Sequence, residues 1–212
     1  MIDYINTVRK KTTIEPNFIL EIGSRDGHDS EELRKEFNIE PSNVWVVEPN
    51  PKQQVKISEK YPNFNLITSP IFNVEKKITF FRVDVENETL VGVSSLLNRV
   101  DKLYDEINTD RIELETMLGS TLLNVINKPI DLCKIDVEGA TFEVLESFGD
   151  EIKKIKSIHI ECEHRIVWEN QKLYDEVKSY LISKEFTQLH FEYCNQATLQ
   201  SDSVWVQKNF MK

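Results

Sequence analysis

An apolar run that stops at a glycine turn constrains this chain more than any other feature: Phe18-Ile19-Leu20-Glu21-Ile22-Gly23, then Ser24-Arg25-Asp26-Gly27. A short apolar run of this kind reads as a strand buried in a parallel sheet. Neither Gly23 nor Gly27 carries a Cβ, so the turn lets the backbone come close to a ligand. The chain has only six glycines, and two of them fall within these five positions. His28 to Phe37 follows with a helical pattern, with Asp29, Glu31 and Glu32 in its first turn, where carboxylates suit the positive end of a helix. Strand, glycine turn and helix form the opening unit of a nucleotide-binding α/β fold. Such a turn can also carry glycine for geometry alone, so the rest of the chain has to decide.

The next strand, Val44 to Val47, ends at Glu48-Pro49-Asn50-Pro51, and Glu48 lies 21 residues past Gly27. An acid at that distance, at the end of the second strand, is where α/β nucleotide folds hydrogen-bond a ribose. A second strand–glycine–helix unit is Ile130-Asp131-Leu132-Cys133-Lys134-Ile135-Asp136-Val137-Glu138-Gly139, with a helix from about Thr141 to Ser147. Strand alternation projects Lys134, Asp136 and Glu138 to one side. Open α/β sheets bind ligands beyond the carboxyl ends of their strands, where Asp136 and Glu138 fall. The bland alternative is a cluster solvated at the sheet's rim. Lys156 to Glu161 reads as a further strand, followed by Cys162-Glu163-His164-Arg165. His159, one face off Glu161, reads as structural.

Residues 2–11 form an amphipathic lead-in, Lys52 to Tyr61 a helix, Phe64 to Thr68 a strand running into Ser69-Pro70, and Lys77 to Val83 an extra strand. From Asp84 to Thr109, around Val91-Gly92-Val93-Ser94-Ser95-Leu96, the pattern weakens into an insert of the size of a lid or substrate loop. Arg111 to Glu115 reads as a short strand, and Thr116 to Ile126 and Asn170 to Ser183 as helices. Phe186 to Tyr193 and Val204 to Lys208 read as an antiparallel pair at one sheet edge. The expected fold is α/β: a mostly parallel seven-stranded sheet with one antiparallel edge strand and helices on both faces, in a single domain spanning 1–212.

Composition removes several function classes. A net charge of −10 argues against a large nucleic-acid footprint. No apolar run is long enough to span a bilayer, and the first residues lack the apolar core of a signal peptide. Cys133, Cys162 and Cys194 are far apart, odd in number and without a Cys-x-x-Cys, as expected of reduced thiols in a cytoplasmic protein.

The glycine pattern then narrows the ligand. Position 25 is Arg25 and no third glycine follows, unlike the Gly-x-Gly-x-x-Gly of dinucleotide binders, and no Gly-Lys-Ser/Thr is present. What fits is an adenosine without a pyrophosphate, as in S-adenosylmethionine. Its amino-acid end would sit on the glycine turn, its ribose at Glu48 and its sulfonium toward Asp136. The expected pocket comprises Glu21, Gly23, Ser24, Arg25, Asp26, Gly27, Ser30, Glu48, Pro49, Ser69 and Asp136.

Glu21 to Ser30 resembles the first motif of class I S-adenosylmethionine methyltransferases. Ile130 to Ala140, running on to Glu143-Val144-Leu145, resembles the signature of the FkbM family, and Gly92-Val93-Ser94-Ser95-Leu96 its middle loop. Two positions depart from that family: Arg25-Asp26 stands where Ala-Asn is usual, and Thr141 where a glutamate is usual. The resemblance implies a Rossmann-like class I fold and O-methylation, often of sugar hydroxyls, by a domain often fused to glycosyltransferases, so the chain reads as a domain of a longer protein. Asp136 is the first candidate for proton acceptor or positioning group, followed by His164 and Glu163. A divalent metal on Asp136 with Glu161 or Glu163 is a further expectation. Tyr104, Trp168 and Tyr174, beside Arg99, Glu163, His164, Arg165 and Asn170, would offer rings and polar groups to a sugar. The alternatives are a phenolic or polyketide hydroxyl as acceptor, an inactive nucleoside-binding module, and a nicotinamide oxidoreductase, for which the glycine pattern is wrong.

Overall fold

The computed structural model describes residues 1–83, 92–100, 109–195 and 199–212. In chain order the elements are α1 (Ile2–Lys11), β1 (Ile19–Ile22), α2 (His28–Phe37), β2 (Val44–Val47), α3 (Pro51–Lys60), β3 (Asn65–Ile67), β4 (Lys77–Val83), β5 (Thr109–Glu115), α4 (Gly119–Ile126), β6 (Ile130–Ile135), α5 (Thr141–Ser147), β7 (Ile155–Glu163), α6 (Tyr174–Ser183), β8 (Phe186–Asn195) and β9 (Gln200–Gln207). Seven strands form one sheet in the order β3-β2-β1-β6-β7-β9-β8. The first five run parallel, and only β9 is reversed against its neighbours. β9 lies one place in from the edge, so the edge strand β8 points the same way as β7.

β1 and β6 are buried along their whole length, which is why they read as nearly continuous apolar runs. On one face Leu20, Ile22, Cys133, Ile135, Ile158 and Ile160 pack with α4, α5 and α6 through Leu122, Leu123, Val144, Leu145, Val177 and Leu181. On the other face Ile19, Val44, Val46, Leu132 and Val204 pack with α1, α2 and α3 through Tyr4, Ile5, Val8, Leu33 and Ile57. The lead-in helix α1 is therefore part of the core. Its Tyr4 hydroxyl shares a hydrogen bond with Ser157 Oγ at 2.8 Å and accepts the Cys133 N–H at 3.1 Å. Tyr4 also stacks on His159 with ring centroids 5.3 Å apart, and burial drives the His159 pKa down to about 3. His159 is thus a neutral core histidine.

Register positions the site. Ile22 pairs with Val47 on one side and Ile135 on the other, so β1, β2 and β6 end at one level. Gly23, Glu48 and Asp136 leave the sheet together there. The structure also corrects several sequence boundaries. β7 runs through Glu163, two residues further than expected, because β9 pairs with it as far as Glu163↔Gln200. α6 starts at Tyr174 rather than Asn170, since Asn170 is left-handed (φ +59°) and Gln171 Oε1 accepts the N–H groups of Val167 and Trp168. β4 and β5 form a separate antiparallel pair, whose Phe80 packs on Phe72, Leu96 and Ala140. All three cysteines are free, with Cys133 and Cys162 buried and Cys194 exposed.

Candidate active site

Gly23 has φ +83°, and a Cβ there would lie 1.8 Å from the main-chain oxygen of Asp136. The glycine is needed because the β1 exit runs hard against the β6 exit. Gly27 (φ +74°) plays a different part from the one expected, since a Cβ there would meet the Tyr61 ring at 2.9 Å. It serves the packing of the α2 start on α3 and does not face the cleft.

Beneath the turn lies a buried charge network. Lys134 Nζ, on β6, sits 2.9 Å from Asp136 Oδ2, 2.8 Å from Asp29 Oδ2 and 3.5 Å from Glu21 Oε1. Glu21 Oε2 accepts the hydroxyls of Ser24 at 3.0 Å and Ser30 at 2.5 Å. Burial pushes the Glu21 carboxyl up to about 7, opposed chiefly by the Lys134 charge. The three carboxylates in turn hold the Lys134 pKa well above its usual value against its own desolvation. Glu21 and Ser30 therefore brace the turn from below and leave the floor of the cleft to Lys134 and Asp136.

Above them opens a cleft of about 230 Å³, lined by residues 23–26, Asp29, Gly92, Val93, Lys134, Asp136, Glu138 and Glu161. An apolar slot meets it at Gly23, walled by Ile22, Val47, Pro49, Pro70, Ile71, Phe80, Leu96, Val137 and Ala140. Where the sequence pointed to Ser69, the wall is made by its neighbours Pro70 and Ile71. Glu48 is buried below the turn: Oε2 accepts the Arg25 N–H and Oε1 the Asn50 N–H, each at 2.7 Å. Burial raises its pKa to about 8.

Three carboxylates converge on the cleft. One oxygen each from Asp136, Glu138 and Glu161 lies within 4.8 Å of the others. Glu138 is left-handed (φ +49°), and Ser95 Oγ donates to its main-chain oxygen at 2.6 Å. Burial first, and then Glu161 and Asp136, push the Glu138 carboxyl well above the usual range. Burial, then Asp136, push Glu161 up to about 9.

Glu163 and His164 stand elsewhere. Glu163 is 3% exposed, with Oε1 accepting Trp168 Nε1–H at 3.2 Å and Oε2 accepting Gln171 Nε2–H at 2.5 Å. Its oxygens hold Trp168 and Gln171, and Glu163 lines neither the cleft nor the slot; Glu138, not Glu163, stands with Asp136 and Glu161. Trp168 is itself 2% exposed and fills the space that a Cβ on Gly139 would need, at 2.2 Å. It is a core wedge behind the Glu138–Gly139 turn, with Arg99 5.0 Å from its ring, and is not open to a sugar. His164 lines a separate groove between α6 and β8. Tyr104 and Val91 lie outside the described residues. Gly92 and Val93 line the cleft, as expected of an insert of lid or substrate-loop size. Lys134 has a local signal, its strand alternation with Asp136; Asp29 arrives through a tertiary contact that no local pattern encodes.

The sequence matches the methyltransferase FkbM domain over residues 21–193. The chain belongs to the FkbM methyltransferase family. Its fold is the family's S-adenosylmethionine-dependent class I fold, and a methyltransferase FkbM from Methylobacillus flagellatus aligns with TM-score 0.56 at 10% identity, over 91% of this chain and 44% of that one. This FkbM domain thus spans less than half the length of that relative. Magnesium protoporphyrin IX methyltransferase from Synechocystis aligns with TM-score 0.54 at 8% identity, over 98% of this chain and 76% of that one. Fibrillarin from Aeropyrum pernix aligns with TM-score 0.52 at 9% identity, over 90% and 66%. Among curated proteins no sequence relative is detected. Among the described residues, no helix is long and apolar enough to cross a membrane.

Proposed function

We propose that this FkbM domain transfers the methyl group of S-adenosylmethionine to a hydroxyl of a carbohydrate, on a glycan or sugar conjugate. One observation carries the reading: a cluster of three carboxylates stands at the ends of β6 and β7, between the glycine turn and an apolar slot. The residues suit the cofactor. The slot is lined mostly by apolar side chains, Val47, Pro49, Leu96 and Val137 among them, which suit an adenine. Burial holds Glu48 toward its neutral form, with each oxygen already accepting one backbone N–H, so the carboxyl O–H is the group it would offer a ribose hydroxyl. The turn from Gly23 to Asp26 and the Lys134–Asp29 pair supply both charge signs for an ammonium and a carboxylate. Bound S-adenosylmethionine supplies an electrophilic methyl group on sulfur.

The chain's own part is to hold the acceptor oxygen in line and take its proton. Asp136 fits that task. Lys134 Nζ stands 2.9 Å from its Oδ2, and Asp136 shares the cleft with Glu138 and Glu161, whose carboxyls burial pushes above the usual range. The proposed step needs no divalent ion, since Lys134 already sets a positive charge 2.9 Å from Asp136 Oδ2. The polar lining suits a polyhydroxylated acceptor better than a phenol, which would want a drier pocket. A net charge of −10 disfavours polyanionic acceptors. A cytoplasmic setting, beside the glycosyltransferases that build the acceptor, goes with the same reading.

A panel assay for released S-adenosylhomocysteine tests it, with rhamnosides, hexosides, catechols and a short RNA offered side by side. Turnover is expected with at least one sugar. Turnover with catechol or RNA and with no sugar would overturn the carbohydrate assignment and leave the methyltransferase standing.

A further inference from the structure

His164, set aside from the cleft, belongs to a built surface. A groove of about 630 Å³ lies between α6 and β8 at the outer edge of the sheet. Its floor is a cluster of four rings, one pair stacked and the others tilted or edge-on. His164 stacks on Tyr174 at 4.6 Å, Tyr174 meets Phe191 at 5.2 Å, Phe191 meets Tyr193 at 5.1 Å, and Tyr193 closes on His164 at 5.0 Å. His164 Nε2 and Ser201 Oγ share a hydrogen bond at 2.8 Å, which anchors the cluster to β9. Despite this mutual packing, Phe191 is 37% and Tyr193 59% exposed. Asp175, Lys178 and Gln188 ring the aromatic floor with donors and acceptors.

The groove opens at the same end of the sheet as the cleft, because β8 points the same way as β7. The Cys194 thiol contacts Glu161 Oε2 at 3.7 Å on the cleft's side of the sheet, while Tyr193, the preceding residue, turns its ring to the α6 side, so a chain would reach the groove by crossing the carboxyl end of β7. His164 follows Glu163 directly on leaving β7.

The lining points to one kind of occupant. Ring faces bordered by hydrogen-bonding side chains match a saccharide, which presents apolar C–H faces and a rim of hydroxyls. A second copy adding a strand to β8 is disfavoured, since register irregularities at Gln188/His190 and Tyr193/Asn195 interrupt that ladder at both ends of the exposed segment. A nucleic acid would need cations, and Lys178 stands beside Asp175 in a chain of charge −10.

We propose that the His164–Tyr174–Phe191–Tyr193 groove is a subsite for the acceptor saccharide, holding units of the chain beyond the one that is methylated. This rests on the carbohydrate reading of the cleft and extends it from a hydroxyl to a chain.

The test uses the full chain with mono- to tetrasaccharides of rhamnose, glucose, mannose, galactose and xylose. Saturation-transfer NMR and initial rates are read on wild type, Tyr193→Ala, Phe191→Ala and Tyr193→Phe, with S-adenosylhomocysteine affinity as the measure of a correctly folded cleft. Wild type should favour longer acceptors. The gain in kcat/KM from mono- to tetrasaccharide should fall roughly tenfold in the alanine variants, through KM, and be restored in Tyr193→Phe. A length preference that survives both alanine variants, or none in wild type with monosaccharides turned over, would overturn the subsite and leave the carbohydrate reading intact. Turnover of catechols alone would overturn both. A dimer by sedimentation that Tyr193→Ala dissolves, with no saccharide contact, would reassign the groove to self-association.

Discussion

Asp136→Asn is expected to lower methyl transfer by about 10²–10⁴-fold while S-adenosylhomocysteine affinity stays within about threefold. Asparagine keeps the size and one acceptor oxygen and loses the charge that takes the hydroxyl proton. Lys134 would still face Asp29 at 2.8 Å and Glu21 at 3.5 Å, so the floor of the cleft should not collapse. Single-turnover rates with the best acceptor from the panel, set beside calorimetric titration, separate chemistry from binding. Activity within a few-fold of wild type would remove Asp136 from proton transfer and shift attention to Glu138 and Glu161, which share its cleft.

The second large effect is on stability. Gly23→Ala should cost about 3 kcal/mol or more, since it combines a left-handed backbone with an overpacked contact. The contact is with the Asp136 main-chain oxygen, 1.8 Å from the new Cβ, and backbone cannot swing aside as a side chain can. For a chain of this size that corresponds to a Tm lower by roughly 6–12 °C. Gly149→Ala is the internal comparison: φ is +56° there too, but nothing lies within 4 Å of the added Cβ. It should cost only the conformational part, about 1–2 kcal/mol. Equal losses in the two variants would show that the crowding of β1 against β6 is not what demands glycine at position 23.

Much of this architecture is legible in the sequence because its signals are local. Buried parallel strands such as Ile19–Ile22 and Ile130–Ile135 read as apolar runs, and each ends in a glycine turn that sets where the sheet stops. Glu21, Glu48 and Asp136 stand out because carboxylates at such ends are costly unless something answers them. What answers them was less legible. Ser24 and Ser30 hold one Glu21 oxygen and Lys134 faces the other, while the Arg25 and Asn50 N–H groups hold Glu48, through the fold of the turn that composition does not encode. Glu163 and Trp168 looked functional because charged and aromatic residues crowd the end of β7. Only the path of residues 164–171 shows them bonded to each other, wedged behind Gly139. The glycine turn alone does not separate a ligand-facing Gly27 from one kept for geometry; Tyr61, far along the chain, is what fills its space. The exposed faces of Phe191 and Tyr193 follow from the placement of β8 at the sheet edge outside β9, a matter of strand order that periodicity does not reveal.

The cleft at the ends of β1, β2 and β6 is expected to take S-adenosylmethionine with its methyl group facing Asp136. A crystal structure of the chain grown with S-adenosylhomocysteine tests this most directly. The expected density places the adenine between Val47 and Leu96, the ribose hydroxyls on Glu48 and the thioether sulfur toward Asp136. Density for the nucleoside anywhere else on the chain, or a ribose with no contact to Glu48 and a sulfur turned away from Asp136, would contradict it.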